Sequence, residues 1–223
     1  MIPRRLKLLF HQISFGDQAY CFLFEAGPAD EVVAFDCETT GLSVAKDDII
    51  VIAAVKVRGN RILASEKFEA VARPEATLKA DSIKVHRLLE SDVESGGLIM
   101  QIIPDFLSFI GGRPLVGYYI DFDIAMLNNH VSEMLGIQLP NPRIEVSSIY
   151  YERKYSDAPP GTQINLTFAN ILRDLKLPLF NQHDAFSDAL MTAMIYVNLK
   201  DYVARDIRIP RPRIKPAQDY HGM

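Results

Sequence analysis

The sequence has little cysteine, no long hydrophobic run and no excess of positive charge. Its two cysteines, Cys21 and Cys37, do not make a disulfide framework. No stretch approaches the roughly 20 apolar residues that a membrane-spanning helix needs. The basic N-terminus also lacks the apolar core and the cleavage site of a signal peptide. These absences exclude a disulfide-rich secreted scaffold and predict a cytoplasmic protein with no membrane contact.

Positive charge is scarce, because 24 lysines and arginines face 28 aspartates and glutamates, which gives a net charge of −4. Binding to phosphates usually requires a basic face, so this balance argues at first against a nucleic-acid ligand. The chain has neither internal repeats nor low-complexity tracts. Its 223 residues, 48% of them hydrophobic, are enough for one domain with an ordinary core.

Three apolar segments near the N-terminus predict a meander of strands. Residues 31–38 are rich in strand-forming side chains. Residues 49–57 are apolar on both faces, as a central strand is. A turn at Gly59-Asn60 separates them from a third strand at 62–68. Residues 18–26 are a candidate for a further edge strand.

Helices and strands are predicted to alternate after residue 74. The helices are predicted at 77–90, 99–110, 121–135, 166–175 and 185–199, the strands at 114–119 and 143–149, and a long loop at 151–165. An antiparallel meander followed by such alternation predicts an α/β fold, in which a mixed sheet with further parallel strands has helices on both faces.

Two carboxylates, Asp36 and Glu38, stand at the end of the first predicted strand. Because side chains alternate along a strand, both share a face with Val32 and Ala34. Like charges at this range repel each other, so the placement costs stability unless something compensates for it. A divalent cation is the simplest compensation, because Mg²⁺ and Mn²⁺ prefer oxygen ligands. A solvated strand end with an acidic turn is the alternative.

Two later segments carry further candidate ligands. Asp121 and Asp123 open a predicted helix; Asp121 fits an ordinary first-turn residue, whereas Asp123 is placed to point toward the first strand. His183 and Asp188 are five residues apart, which turns about 140° on a continuous helix. They converge only if His183 precedes the helix and Asp188 lies in its early turns. Each feature has an ordinary structural explanation, but together, in this order, they indicate one site.

These motifs resemble those of the DEDD superfamily of 3′–5′ exonucleases, in its histidine-bearing (DEDDh) branch. The similarity is greatest to the proofreading epsilon subunit of bacterial DNA polymerase III and its stand-alone relatives. Three segments carry it: 35–42 (FDCETTGL), 115–123 (LVGYYIDFD) and 183–189 (HDAFSDA). Two positions depart from the family pattern. Tyr118-Tyr119 stands where His-Asn is common, and Ser147-Ser148 where relatives often carry Asp-Thr.

The resemblance implies a ribonuclease H-like fold and a two-metal mechanism. Two divalent cations, Mg²⁺ or Mn²⁺, are expected between four carboxylates, which are Asp36, Glu38, Asp123 and Asp188. His183 is the expected general base that takes a proton from the attacking water. The 3′-terminal nucleotide is expected to contact Thr39, Thr40, Gly41 and Leu42. Two bound cations would also offset the four ligand charges, which weakens the objection raised by the net charge.

The implied activity is a metal-dependent 3′–5′ exonuclease that acts on single-stranded ends, DNA favoured, and releases nucleoside 5′-monophosphates. Two alternatives are an accessory proofreading module bound to a polymerase and an RNA-trimming enzyme of the oligoribonuclease type. The expected domains are an N-terminal extension (1–30), the exonuclease domain (31–200) and a Pro/Arg-rich tail (201–223). The tail is the candidate contact for a polymerase or another protein partner, and its basic residues are candidates for attracting phosphate.

Overall fold

The computed structural model describes residues 18–75, 90–181 and 183–211 of the 223-residue chain. Most of the helix predicted at 77–90 lies outside these residues, as do the first part of the N-terminal extension and the last part of the predicted tail. Among the residues described, no helix is both long and apolar enough to cross a membrane.

Among the described residues, five strands form one mixed sheet. They are β1 (Glu31–Thr39), β2 (Ile49–Arg58), β3 (Arg61–Val71), β4 (Leu115–Gly117) and β5 (Arg143–Glu145). The order across the sheet is β3-β2-β1-β4-β5, with β1 to β3 antiparallel and β4 and β5 parallel to β1. The predicted fold class is therefore confirmed, and β1 lies at the centre of the sheet.

Six helices in the described part of the chain cover the two faces of this sheet. They are α1 (Glu90–Glu94), α2 (Ile99–Ile110), α3 (Ile120–Leu135), α4 (Val146–Lys154), α5 (Phe168–Asp174) and α6 (Ala185–Ala204). Val33 and Phe35 of β1 pack with apolar residues of α2 and α3. Val32 and Ala34 pack on the opposite face with residues of α4, α5 and α6. The alternation predicted for β1 is thus observed, and it directs Asp36 and Glu38 toward α6.

Two predicted strands are shorter than expected. The strand predicted at 114–119 ends at Gly117, because Tyr119 adopts the left-handed backbone conformation (φ 56°) and α3 begins after it. The strand predicted at 143–149 ends at Glu145. The Glu145 carboxylate accepts a hydrogen bond from the Ser147 backbone (2.9 Å), which caps a helix there. Part of the predicted loop at 151–165 is consequently helical, up to Lys154.

The edge strand predicted at 18–26 is wrong, because Gln18–Phe24 forms a 3₁₀ helix. Leu23 and Phe24 are consecutive and both buried, which suits a helical turn better than the alternation of a strand. The same segment packs tightly on the end of α2, where a β-carbon on Gly112 would overlap the Glu25 carbonyl oxygen.

The described part of the predicted tail packs against the domain. Ile209 is buried, and its backbone donates a hydrogen bond to the Arg153 carbonyl (2.9 Å). Arg211 pairs with Asp157 at 2.7 Å, and Arg208 donates to the Ser156 hydroxyl, also at 2.7 Å. These arginines therefore fasten the chain to the end of α4, which reduces the positive charge that they offer to a phosphate.

Candidate functional site

The carboxylates of Asp36, Glu38 and Asp188 meet at the end of β1. Asp36 and Glu38 lie two residues apart on the face that α6 covers, and Asp188 lies in the first turn of α6. One ligand oxygen from each lies within 4.8 Å of the other two. The fold thus brings residues from sequence segments about 150 positions apart into one acidic cluster.

Asp123 approaches the same strand end from α3. Parallel pairing between β1 and β4 reaches only Ala34 and Val116, so the next part of β1 is not paired with β4. Asp123 is buried there and accepts a hydrogen bond from the Cys37 backbone. Its neighbour Asp121 points away from the cluster and pairs with Arg143 at 2.8 Å. The structure therefore separates the two aspartates as the sequence pattern predicts.

His183 stands at the rim, in the loop before α6. Its backbone is left-handed (φ 64°), and its N–H donates to Asp188 Oδ2 at 3.1 Å. Asp184 follows as the N-cap of α6 and accepts a hydrogen bond from the Ser187 backbone (2.9 Å). His183 and Asp188 thus converge because His183 precedes the helix, which is the arrangement that their spacing requires.

A cavity of about 310 Å³ joins these groups. Its walls include Asp36, Glu38, Asp123, His183, Asp188, Leu42, Tyr118, Tyr119, Phe122, Phe168 and Thr192. All five predicted catalytic residues therefore line one cavity. Of the four predicted nucleotide-binding residues, Leu42 lines the cavity. Thr39 ends β1, and Thr40 and Gly41 belong to the turn that carries Leu42.

The carboxylates destabilise each other's ionised forms. Burial, followed by the charges of Asp123, Glu38 and Asp188, raises the pKa of Asp36 well above its ordinary value. Burial, followed by the charges of Asp188 and Asp184, raises the pKa of Glu38 from 4.5 to about 7. Burial also raises the pKa of Asp123 and that of Asp188, although backbone hydrogen bonds act in the opposite direction. The cluster therefore holds negative charge that the surrounding protein does not balance.

The cluster fits a divalent cation. Asp188 Oδ1 is buried and has no hydrogen-bond partner among the described residues, and such an atom is costly unless a ligand satisfies it. Carboxylate oxygens are the donors that Mg²⁺ and Mn²⁺ prefer. Three carboxylate oxygens lie close enough to bind one ion, and the pKa values of Asp36 and Glu38 are raised. A cation is therefore the simplest compensation for the repulsion between these carboxylates.

Aromatic side chains that the sequence motifs did not assign form the apolar part of the cavity. The Tyr118 hydroxyl donates to the Leu166 carbonyl (3.0 Å), and its ring contacts those of Tyr119 and Phe168, with centroids 4.5 and 4.9 Å away. Tyr119 is 63% exposed. Tyr118 and Tyr119 stand where the family pattern has His-Asn, and this difference is the sequence feature that distinguishes the two tyrosines. Phe168 gives no such signal, because it reaches the cavity only through the fold.

The fold and the acidic cavity together define a protein of the exonuclease class. The sequence profile of the family described as Exonuclease (RNase_T) matches residues 33–196. That match covers most of the chain, so the chain belongs to this exonuclease family.

Related sequences include DNA polymerase III proteins. The chain is 30% identical over 175 residues to a DNA polymerase III PolC-type from Caldanaerobacter subterraneus subsp. tengcongensis, which covers 78% of this chain but only 12% of that polymerase. It is 27% identical to the DNA polymerase III subunit epsilon of Aquifex aeolicus, over 75% of this chain and 79% of that subunit. The chain therefore corresponds to a small part of the first and to most of the second.

Solved exonuclease structures share the fold. Exonuclease X in complex with 5′ overhanging duplex DNA superposes with a TM-score of 0.61 at 21% identity, over 78% of this chain and 93% of that one. E. coli Exonuclease I in complex with a dT13 oligonucleotide gives a TM-score of 0.65 at 14% identity, over 79% and 42% respectively. At these identities the similarity supports the architecture alone.

Proposed function

We propose that the chain is a metal-dependent 3′–5′ exonuclease that removes nucleotides from single-stranded ends and releases nucleoside 5′-monophosphates. The observation that carries the proposal is the cluster of Asp36, Glu38 and Asp188 within 4.8 Å, in a cavity that His183 and Asp123 also line. Membership of the exonuclease family supports it.

DNA is the favoured substrate. The related sequences are DNA polymerase III proteins, and two structural neighbours were solved with DNA. A cavity of about 310 Å³ lined by Tyr119, Phe122 and Phe168 offers apolar surface to a base, and stacking on aromatic side chains is tolerant of sequence. An RNA-trimming activity uses the same chemistry and is the alternative outcome of the test below.

Asp36, Glu38, Asp123 and Asp188 are the residues that would hold two divalent cations, Mg²⁺ or Mn²⁺. When bound, such cations neutralise the cluster, polarise the scissile phosphate and favour ionisation of a water molecule. The raised pKa of Glu38 and that of Asp36 support this role, because a bound cation would relieve the repulsion between the ionised carboxylates. The buried Asp188 Oδ1 is an oxygen that a cation would satisfy.

His183 is the proposed general base. His183 is one of the residues that line the cavity, and its backbone N–H donates a hydrogen bond to Asp188. An imidazole is well suited to accept a proton near neutral pH. The ring takes one proton from the water, whose oxygen bonds to phosphorus as the bond to the 3′ oxygen breaks. The departing 3′ oxygen takes up a proton from solvent, so the shortened strand keeps a 3′ hydroxyl and the product carries the 5′ phosphate.

The test is digestion of single-stranded DNA, duplex DNA and short RNA with Mg²⁺, with Mn²⁺ and with a chelator. We expect the single strands to be degraded only with a cation and Asp36→Asn to reduce the rate to background. His183→Ala should slow the reaction about 10²–10⁴-fold, the usual contribution of a general base. Asp105→Asn, an exposed aspartate on α2, is the control. Wild-type activity in the Asp36→Asn variant would contradict the proposal.

Association with a polymerase is the second candidate role. The relatives motivate it, because one is a DNA polymerase III PolC-type and another is a DNA polymerase III subunit epsilon. The candidate contact is the end of the chain beyond Arg211, which continues from the segment fastened to α4. A location in the cytoplasm stays a prediction.

A further inference from the structure

Two neighbouring cavities share one apolar wall. The acidic cavity is one of them, and the second, of about 620 Å³, is lined by Asp121, Glu145, Ser147 and Ser148. Leu42, Tyr119 and Phe122 line both. The predicted metal ligands lie on one side of this wall only. A strand whose last phosphate reaches the carboxylates would therefore meet the wall between its last nucleotide and the one before it.

Leu42 is the most exposed part of that wall. Its side chain is 88% exposed, although it is fully apolar. Apolar side chains of this kind are used by nucleic-acid-binding proteins as wedges between stacked bases. A wedge on a loop works only if the loop is rigid, because otherwise the side chain would fold onto the nearby apolar surface. The question is therefore what fixes the backbone of residues 39–43.

Asp47 supplies much of this rigidity. It is only 7% exposed, and its Oδ2 accepts a hydrogen bond from the Ser43 backbone (2.8 Å). Its own N–H donates to the Ser43 carbonyl (2.9 Å), so the two residues are joined in both directions. Its Oδ1 accepts from the Thr40 hydroxyl at 3.3 Å. One carboxylate thus links the residues on both sides of Gly41 and Leu42.

The neighbouring contacts make the turn still tighter. A β-carbon on Gly41 would lie 2.5 Å from Asp47 Oδ2, so the glycine lets the backbone pack directly on the carboxylate. The Thr39 hydroxyl donates to the Gly41 carbonyl (2.7 Å), and the Asp48 N–H donates to the Thr40 hydroxyl (2.9 Å). The hydroxyls of both threonines are therefore engaged within the turn.

We propose that Asp47 is a positioning residue that holds Leu42 as a fixed divider between the terminal nucleotide and the preceding one. This inference rests on the proposed exonuclease function and adds a residue outside the three motifs. Asp47 is not among the residues that line the acidic cavity. It acts through the turn, and it matters only for substrates that have a second nucleotide to be separated from the first.

Two substrates distinguish this role from a general structural one. The first is a single-stranded thymidine oligonucleotide, and the second is the p-nitrophenyl ester of thymidine 5′-monophosphate, which has no second base. Asp47→Asn keeps the shape of the side chain but replaces one accepting oxygen with a donor. We expect it to lower kcat/KM on the oligonucleotide about tenfold, the loss typical of one hydrogen bond to a charged group, and to leave the ester unchanged. Thr40→Val, which removes the hydroxyl that donates to Asp47, should also lower kcat/KM on the oligonucleotide.

A double-mutant cycle with Leu42→Ala makes the test sharper. Leu42→Ala should lower kcat/KM on the oligonucleotide. Adding Asp47→Asn should then cause no further loss on that substrate, because the divider is already gone. Asp48→Asn is the matched control: it makes the same change one residue away, where the carboxylate accepts from the Glu75 backbone instead. It should behave as wild type on both substrates.

Three results would overturn the inference. Equal losses on both substrates would indicate a general structural role for Asp47. Independent, additive effects of Asp47→Asn and Leu42→Ala would show that Asp47 does not act through Leu42. Wild-type rates in both Asp47→Asn and Thr40→Val would show that the position of Leu42 does not depend on the hydrogen bonds of Asp47. A wild-type protein that cleaves neither substrate would instead refute the proposed function itself.

Discussion

Replacing Glu38 with glutamine should stabilise the protein in the absence of metal. Glu38 is buried beside Asp36 and Asp188, and its pKa is raised from 4.5 to about 7 by burial and by the charges of Asp188 and Asp184. The ionised form is therefore less favourable in the folded protein than in the unfolded chain. Glutamine has the same shape without the charge, so Glu38→Gln removes this penalty.

The size of the effect follows from the pKa. Each tenfold change in acidity corresponds to about 1.4 kcal/mol, so the rise to about 7 amounts to roughly 3 kcal/mol at most. The sign is set by the direction of the rise. Below pH 4.5 the group is protonated in both states and costs nothing, and the penalty grows until it is complete above pH 7.

The assay is chemical unfolding of wild type and Glu38→Gln in a chelator, from pH 4 to pH 8. The difference in free energy of unfolding should be near zero at the acidic end and should favour the variant by up to about 3 kcal/mol at pH 8. The order should reverse with Mg²⁺. A cation at 1,000 times its dissociation constant stabilises the native state by about 4.1 kcal/mol. This gain exceeds the penalty of about 3 kcal/mol, and the variant should lose most of it.

Glu133→Gln is the control, because Glu133 is an exposed residue on α3 and its replacement should change neither curve. The reasoning would be refuted if wild type without metal were as stable as Glu38→Gln at pH 8. In that case the carboxylates would not repel each other as the geometry requires, and the argument for a cation site would lose its main support.

Two further predictions concern regions away from the acidic cavity. Burial acts to raise the pKa of Glu31, but hydrogen bonds and charges from Arg113 and Arg58 outweigh it and lower that pKa overall. Glu31→Gln should therefore reduce the free energy of unfolding by about 2–3 kcal/mol at pH 7, as measured in denaturant. The difference between variant and wild type should disappear as the pH falls below the pKa of Glu31. A chain ending at Arg211 should keep exonuclease activity and lose binding to a polymerase catalytic subunit in a pull-down; unchanged binding would exclude the tail as the contact.

The core of the site could be predicted because its residues obey local rules. Alternation along β1 places Asp36 and Glu38 on the face opposite Phe35, and the structure has them there. The spacing between His183 and Asp188 permits convergence only across a helix start, and α6 begins between them. These arguments use the geometry that repeats along every strand and helix, so the positions of these residues can be predicted without knowledge of the tertiary structure.

Other features depend on contacts that no local pattern contains. The strand at 143 stops at Glu145 because that carboxylate caps α4 and also accepts a hydrogen bond from the Ile120 backbone at the start of α3 (3.0 Å). Asp47 has no motif to mark it, since its role comes from packing on Gly41. The sequence makes the arginines of the tail candidates for attracting phosphate, but in the fold Arg211 forms an ion pair with Asp157.

The most direct test of the central claim is the polarity of digestion. Single-stranded DNA labelled at its 3′ end or at its 5′ end is incubated with the protein and Mg²⁺, and the products are resolved over time. We predict that the 3′ label is released first, as a nucleoside 5′-monophosphate, while the 5′-labelled strand shortens one nucleotide at a time. Early release of the 5′ label, or internal cleavage with both labels retained on fragments, would contradict a 3′–5′ exonuclease.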